Sequence, residues 1–422
     1  MGHLAGVLRS LRDDAAITQE ELADRAGLSA RTVSDIERGL RRRLYRDTAE
    51  RLGAALGLTE ARLEEFVELA RGRATDLRRE LDTEFRRRFV AWHVDRVSAL
   101  AGHVGSEEQW YAVLDADGPN LTVALRWAEE SGDTEVFLQL CVGLWRYWQA
   151  RGDLAGGRAW LERGLAGVPP ATVGTRTDAL WGLAWLSLQQ GDDSTAARCA
   201  AELAGLADEA GTPAVRRNAA TVAGMVALAR DEVGAATERL DTALALAREL
   251  DQPWLLATSL LNVGIVRIAA RDTAGAREVL GEALREYAEV GDERFRARTL
   301  GYLGLAAVVD GDPARAEALY LQSLVTFDEL AEPKGIAEAV VGLATAAALR
   351  GDPVRAAQLA GAAERTWESF GGRPLPVELR VAEAVLARAR ESADDQVWHE
   401  AWIRGRALRQ DEAIALAQDL PG

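Results

Sequence analysis

The stretch ITQEELADRAGLSARTVSDIERG, residues 17–39, decides how the first part of the chain folds. Thr18 followed three residues later by Glu21 is a capping box, so a helix starts there. Gly27 suits the left-handed residue that stops a helix. Ser29 caps a further helix over 30–38, which ends at Gly39. Leu28, Val33 and Ile36 fall on one side of that helix; Ala30, Arg31, Ser34 and Asp35 fall on the other. Upstream, Leu4, Val7, Leu8 and Leu11 predict a first helix ending near Asp14. Downstream, helices are expected after Asp47 and after Thr59, giving five in all.

Beyond this block, residues 74–105 read as one long helix with a basic face at Arg78, Arg79, Arg86, Arg87 and Arg88. Pairing with Glu80, Asp82 and Glu84 is favoured over a second nucleic-acid contact. From residue 175 the chain repeats itself with a unit of about 40 residues, two helices and two turns. Turns recur at Gly211-Thr-Pro213, Asp251-Gln-Pro253, Gly291-Asp292, Glu332-Pro333 and Gly371-Gly372. A second set recurs at Gly191-Asp192, Arg230-Asp231, Arg271-Asp272, Gly311-Asp312 and Gly351-Asp352. Small residues sit twelve apart within units: Ala184/Ala196, Ala223/Ala235, Gly264/Ala276, Gly304/Ala316 and Ala344/Ala356. Small residues are needed where the two helices of a hairpin cross closely. Two less regular units come before, one starting at Pro119, and a final pair over about 376–420 closes the stack. The fold class is all-α. Residues 1–72 form the small domain, 73–117 a linker helix region, and 118–422 an α-solenoid.

Charge divides the same way. The net charge is −16 over 422 residues, yet residues 1–46 carry +2 and the rest −18. Nucleic-acid contact is therefore expected from the N-terminal end alone. No apolar run approaches the roughly 20 residues of a membrane span. The N-terminus lacks a signal-peptide shape, so the cytoplasm is the expected location. Cys141 and Cys199 lie in apolar helical patterns and the four histidines are scattered, so neither a disulfide framework nor a metal site is expected. No G-x-S-x-G occurs. No G-x-x-x-x-G-K-[ST] occurs either, since the one lysine, Lys334, follows Pro333. No cofactor is expected, and no catalytic constellation is found.

The N-terminal stretch closely resembles the Cro-repressor, or xenobiotic-response-element (XRE), helix-turn-helix family over residues 3–70. The matching residues are Leu8-x-x-Leu11-Arg12, Leu22-Ala23-x-x-Ala26-Gly27-Leu28-Ser29-x-x-Thr32 and Ile36-Glu37-Arg38-Gly39. The resemblance implies binding to double-stranded DNA, with roles carried over by position. Ser29, Ala30, Arg31, Ser34 and Asp35 stand at the reading face. Arg31 is the best base reader, because its planar fork fits guanine O6 and N7. Asp35 would accept from a cytosine amine. Gln19 would hold a phosphate, by side chain or helix N-terminus. Arg38, Arg41, Arg42, Arg43 and Arg46 suit phosphate oxygens, the alternative being a solvated loop. The partner of Arg12 would be Glu37, a structural pair.

The repeats look like the tetratricopeptide (TPR) pattern, with a period longer than the usual ~34. Segments such as Leu144-Trp-x-Tyr-Trp148 and Ala401-Trp-x-x-Gly-Arg-Ala-Leu408 resemble sensor regions of large actinobacterial regulators, without their NB-ARC ATPase. The architecture resembles peptide-pheromone regulators, which join an XRE domain directly to TPR-like repeats. That likeness implies a homodimeric transcription regulator acting on an inverted repeat, with a peptide or protein effector on the concave face of the solenoid. Trp181, Trp185, Asn218, Asn262 and Arg267 are the candidate effector residues. A protein-interaction scaffold and a small-molecule sensor using the Trp-rich repeats are the alternatives.

Overall fold

The computed structural model describes residues 3–41, 44–70, 76–101 and 107–419. They form 22 helices and, among the described residues, no strand. Two compact units are present, Met1–Trp92 and His93–Gly422. The first begins with α1 (His3–Asp14), α2 (Gln19–Ala26), α3 (Ala30–Glu37), α4 (Arg46–Ala55) and α5 (Glu60–Ala70). Their apolar faces meet in one core built on Leu8, Leu22, Val33, Ile36, Leu52 and Phe66. The caps are those the sequence predicts. The Glu21 amide donates to the Thr18 hydroxyl over 3.1 Å, and the Thr18 amide donates back to Glu21 Oε2 over 2.7 Å. Gly27 ends α2 at φ +60°, a conformation glycine adopts without a steric penalty.

The helix α6 (Asp76–Ala101) corresponds to the expected long helix; residues 74–75 and 102–105 lie outside the described residues, as do the side chains of Arg78 and Arg79. Its basic face is paired on its own helix: Arg86 with Asp82 at 3.3 Å, Arg87 with Glu84 at 2.8 Å and Arg88 with Glu84 at 2.6 Å. The next helix, α7 (Glu107–Ser131), runs straight through Pro119, the expected start of the repeats. Trp110, Tyr111 and Leu114 are buried upstream of the proline and Leu121, Ala124 and Leu125 downstream of it, so the apolar stripe extends to both sides.

Helix hairpins follow: α8 (Thr134–Arg151) with α9 (Leu154–Leu165), α10 (Val173–Gln190) with α11 (Asp193–Ala210), α12 (Pro213–Ala229) with α13 (Val233–Glu249), α14 (Pro253–Ala269) with α15 (Thr273–Val290), α16 (Glu293–Asp310) with α17 (Pro313–Glu329), and α18 (Pro333–Leu349) with α19 (Pro353–Phe370). The repeat is strictly periodic. A left-handed residue ends a helix every twenty positions: Gly191, Gly211, Asp231, Asp251, Arg271, Gly291, Gly311, Ala331, Gly351 and Gly371. The Asp that follows then caps the next helix in several units, as when the Thr195 amide donates to Asp192 and the Arg315 amide to Asp312.

Small residues mark the hairpin crossings at 184, 224, 264, 304 and 344, each with a buried alanine twelve residues on. In the second unit the pair is therefore Gly224/Ala236, not the expected Ala223/Ala235, which lie one position off the buried stripe. A Cβ on Gly224 would meet Leu240 at 2.7 Å, and one on Gly264 would meet Leu280 at 2.4 Å.

The final segment is three helices, not a pair: α20 (Pro376–Glu391), α21 (Asp395–Ala407) and α22 (Gln410–Gln418). The helices α21 and α22 pack on the last hairpin. By contrast, α20 crosses the first helices of four hairpins, α12, α14, α16 and α18. The segment before it is tied to α10: the Arg373 amide donates to the Gln189 carbonyl and its guanidinium to the Gly191 carbonyl, both at 3.0 Å. Arg380 pairs with Asp231 at 2.8 Å. The solenoid thus places its own helix on its inner surface. This also explains why α14 and α18 are apolar nearly all round, as expected of a helix packed on every side.

Candidate functional site

Two sites emerge, one in each unit. In the first, α3 presents an outward face. Ala30 and Arg31 are exposed there, Ser34 and Asp35 half-buried, while Val33 and Ile36 are fully buried. Ser29 Oγ accepts from the Thr32 amide at 3.1 Å and so sets where α3 begins. The arginines near this face divide sharply. Arg12 donates to Glu37 Oε1 at 2.7 Å, Arg9 to the Glu37 carbonyl at 3.0 Å, Arg46 to Glu50 at 2.7 Å and Arg51 to the Ala26 carbonyl at 2.8 Å. Arg31 and Arg41 are exposed and have no ion pair among the described residues. Arg42 and Arg43 lie outside the described residues.

Four expected contacts are modified by the geometry: Arg46, paired with Glu50, and Gln19, Asp35 and Arg38. The Gln19 side chain turns inward and donates to Glu37 Oε2 at 2.7 Å, so its amide is already used in the fold. What remains of the phosphate reading there is the N-terminus of α2. Arg38 donates to Asp35 at 2.6 Å, so these two expected DNA contacts hold each other in the free protein. An exposed pair of this kind is worth only about 0–1 kcal/mol and exchanges readily for other partners. Sequence reasoning missed Arg51, whose guanidinium ties α4 to the last carbonyls of α2 and fixes the turn.

In the second unit a cavity of about 710 Å³, its mouth included, opens among α8, α10, α12, α14, α16 and α18 and is closed on one side by Arg373 and Leu375. Three of the five expected effector residues line it: Trp181, Trp185 and Asn262. The two indoles meet edge to face with centroids 5.7 Å apart. Asn218 and Arg267 lie outside it: Asn218 accepts from Arg217 at 2.6 Å, and Arg267 donates to the Gly275 carbonyl at 3.0 Å, so both serve the scaffold.

Trp145, Trp254, Phe295, Tyr302, Arg298 and Lys334 complete the wall and were not singled out as site residues. Trp145 and Trp148, three residues apart, separate: Trp148 is buried against Gly157, whereas Trp145 faces the cavity. Two wall residues, Arg298 and Lys334, belong to a largely buried charge cluster. Arg294 and Arg298 both bond Glu332, Arg298 at 2.6 Å, and Lys334 bonds Glu338. Burial would raise Glu332, but the two guanidinium groups outweigh it and hold the carboxyl down at about 2. A second cavity, of about 520 Å³, shares Arg298 and Tyr302 with the first and holds Glu338 and Glu378. There burial, helped by the Glu338 charge, raises the Glu378 carboxyl above its ordinary range.

Among the described residues no group of three or more His, Cys, Asp or Glu is placed to hold a metal ion, and no helix is long and apolar enough to cross a membrane. Both cysteines are free and buried.

Residues 3–66 match the model of a helix-turn-helix domain. The Rap protein, solved in complex with competence and sporulation factor, is similar at 12% identity and a TM-score of 0.52, over 98% of this chain and 100% of that one. PlcR of Bacillus thuringiensis, solved with the peptide PapR7 and DNA, is 13% identical with a TM-score of 0.37, over 78% of this chain and 96% of that one. No curated protein sequence matches the chain. At this identity the likeness to Rap speaks to fold. The N-terminal part of the chain is a helix-turn-helix domain, and its larger unit is a TPR-like α-solenoid.

Proposed function

We propose that the protein is a sequence-specific DNA-binding regulator of transcription whose solenoid holds an effector. The observation that carries the DNA reading is the outer face of α3, where Arg31 is exposed and free of any ion pair among the described residues while most neighbouring arginines are bound to the protein's own groups. In a helix-turn-helix the second helix enters the major groove and reads with its N-terminal residues, which is where Arg31 stands. One such domain covers one half-site, so a homodimer on an inverted repeat with half-sites about 34 Å apart is the matching assembly.

The effector belongs in the cavity where Trp181, Trp185 and Asn262 meet. A peptide or protein effector is the first reading, since the solenoid's fold is similar to that of Rap, which was solved in complex with competence and sporulation factor. A small-molecule effector is the second reading, favoured by the compact volume, since ligand pockets commonly span about 300–1,000 Å³. The test is selection of genomic fragments by the purified full chain, followed by footprinting. Recovery of a shared inverted repeat supports the reading. Recovery of no enriched fragment, with protein partners captured instead, replaces it with the scaffold reading.

A further inference from the structure

We propose that the solenoid cavity takes a ligand that joins an aromatic or apolar body to a carboxylate. The inference rests on reading the cavity as the effector site and adds the chemistry of its occupant. Three basic residues, Arg298, Lys334 and Arg373, stand in its wall, with no Asp or Glu among the lining residues. A cationic ligand finds little here. Cation binding to an aromatic wall needs open ring faces, and two of them already carry the protein's own cations: Arg146 lies 4.2 Å from the Trp254 centroid and Arg217 5.0 Å from that of Trp181.

One buried cation beside the wall has no counterion among the described residues. Arg217 is 1% exposed, and its partners are Asn218, the Ser259 hydroxyl and a carbonyl; no ion pair reaches it among the described residues. Burial pushes its guanidinium down to about 10. A buried charge without a counterion is strongly unfavourable, and a bound anion relieves it. In the wall itself, Arg298 pairs with Glu332 and Glu338, and Lys334 with Glu338.

The wall also holds unused hydrogen-bonding groups. Among the described residues, Asn262, 3% exposed, has an amide nitrogen without an acceptor, and Gln189, 6% exposed, a side-chain oxygen without a donor. Buried polar atoms of this kind are ordinarily satisfied, so a ligand that both accepts and donates fits them. Trp145, Trp185, Leu261 and Ile265 supply the surface for an apolar body. The space is compact, because α20 packs on α12, α14, α16 and α18 and covers part of their inner faces.

A free aromatic acid and the C-terminal residue of a short peptide share this chemistry. Full-length protein without DNA is titrated, by calorimetry and tryptophan fluorescence, with naphthalene-1-acetate, its uncharged amide, and the peptide Ala-Ala-Leu-Phe with a free or an amidated end. Saturable binding of an acid form, with its amide at least about tenfold weaker, is expected. Arg373→Gln, at the half-exposed mouth, is expected to shrink that preference without disturbing the buried cluster. Tighter binding of the naphthyl acid assigns the source as a free organic acid; tighter binding of the peptide acid assigns it as a chain end. Equal binding of acid and amide, or no saturation by any of the four at millimolar concentration, overturns the proposal. Because no DNA is present, that outcome is separate from failure of the DNA-binding reading.

Discussion

Glu37 on α3 is 1% exposed and receives Arg12 Nε from α1 at 2.7 Å, which clamps α3 to the first helix of the domain. Burial alone would raise the Glu37 carboxyl; hydrogen bonds from Arg12 and Gln19, with the charges of Arg12 and Arg9, outweigh it and lower the group below its ordinary value. A depressed carboxyl stabilises the fold above its unfolded value, near 4.5, and loses that contribution as pH falls through its folded value. Glu37→Gln removes the partner of a partly buried arginine and is expected to destabilise the N-terminal domain by about 2–3 kcal/mol. Thermal melts of the full chain between pH 7 and 3 check this. The variant should lose the part of the acid sensitivity that Glu37 supplies, and an unchanged melting profile would remove the clamp.

Ala331 occupies a left-handed position, φ +48°, where the same turn of the neighbouring repeats uses Gly291 and Gly371. A residue with a Cβ is disfavoured there by roughly 1–2 kcal/mol, partly offset by the greater chain freedom of glycine in the unfolded state. Ala331→Gly is therefore expected to stabilise the solenoid by about 0.5–1 kcal/mol, read as a rise in the urea midpoint of the full chain.

Two glycines in helices should respond oppositely to the same change. A Cβ on Gly405 would lie 1.9 Å from the Gln358 carbonyl oxygen, where α21 crosses α19 backbone to backbone. Gly405→Ala must push the helices apart and is expected to cost about 1–3 kcal/mol. Gly205, inside α11, has nothing within 4 Å of such a Cβ. Gly205→Ala is expected to stabilise by about 0.5–1 kcal/mol through helix propensity. Equal effects in denaturant unfolding would contradict the packing described.

What the sequence disclosed tracks how local each signal is. Thr18, Glu21, Gly27 and Ser29 act on backbone atoms within three or four residues, so the ends of α2 and α3 were legible to within one position. The 40-residue period was legible for the same reason, through turns. Its register slipped at Ala223/Ala235 because Ala223-Gly224 and Ala235-Ala236 offer two small residues side by side, and only burial chooses between them. The placement of α20 was not legible. Its apolar positions call for a partner surface but do not say that the surface is the inner face of its own solenoid. Trp181, Trp185 and Asn262 were found through their positions on first helices of hairpins, whereas no local signal marks Arg298 or Lys334. Their burial depends on Glu332 and Glu338, which α18 brings alongside. Gln19 was assigned outward because nothing in the sequence pairs it with Glu37, eighteen residues away.

The most direct test of the account is the DNA affinity of Arg31→Ala, measured by fluorescence anisotropy on a selected operator, on single-base variants of it and on random DNA, across a salt series. Arg31 as a base reader predicts a loss of about 1–3 kcal/mol on the operator, relaxed preference at one base pair, and little change on random DNA. Arg41→Ala, as a phosphate contact, should weaken all sequences alike and reduce the salt slope by about one. Equal losses for Arg31→Ala on operator and random DNA, or no loss on either, would contradict the reading of α3 as the recognition helix.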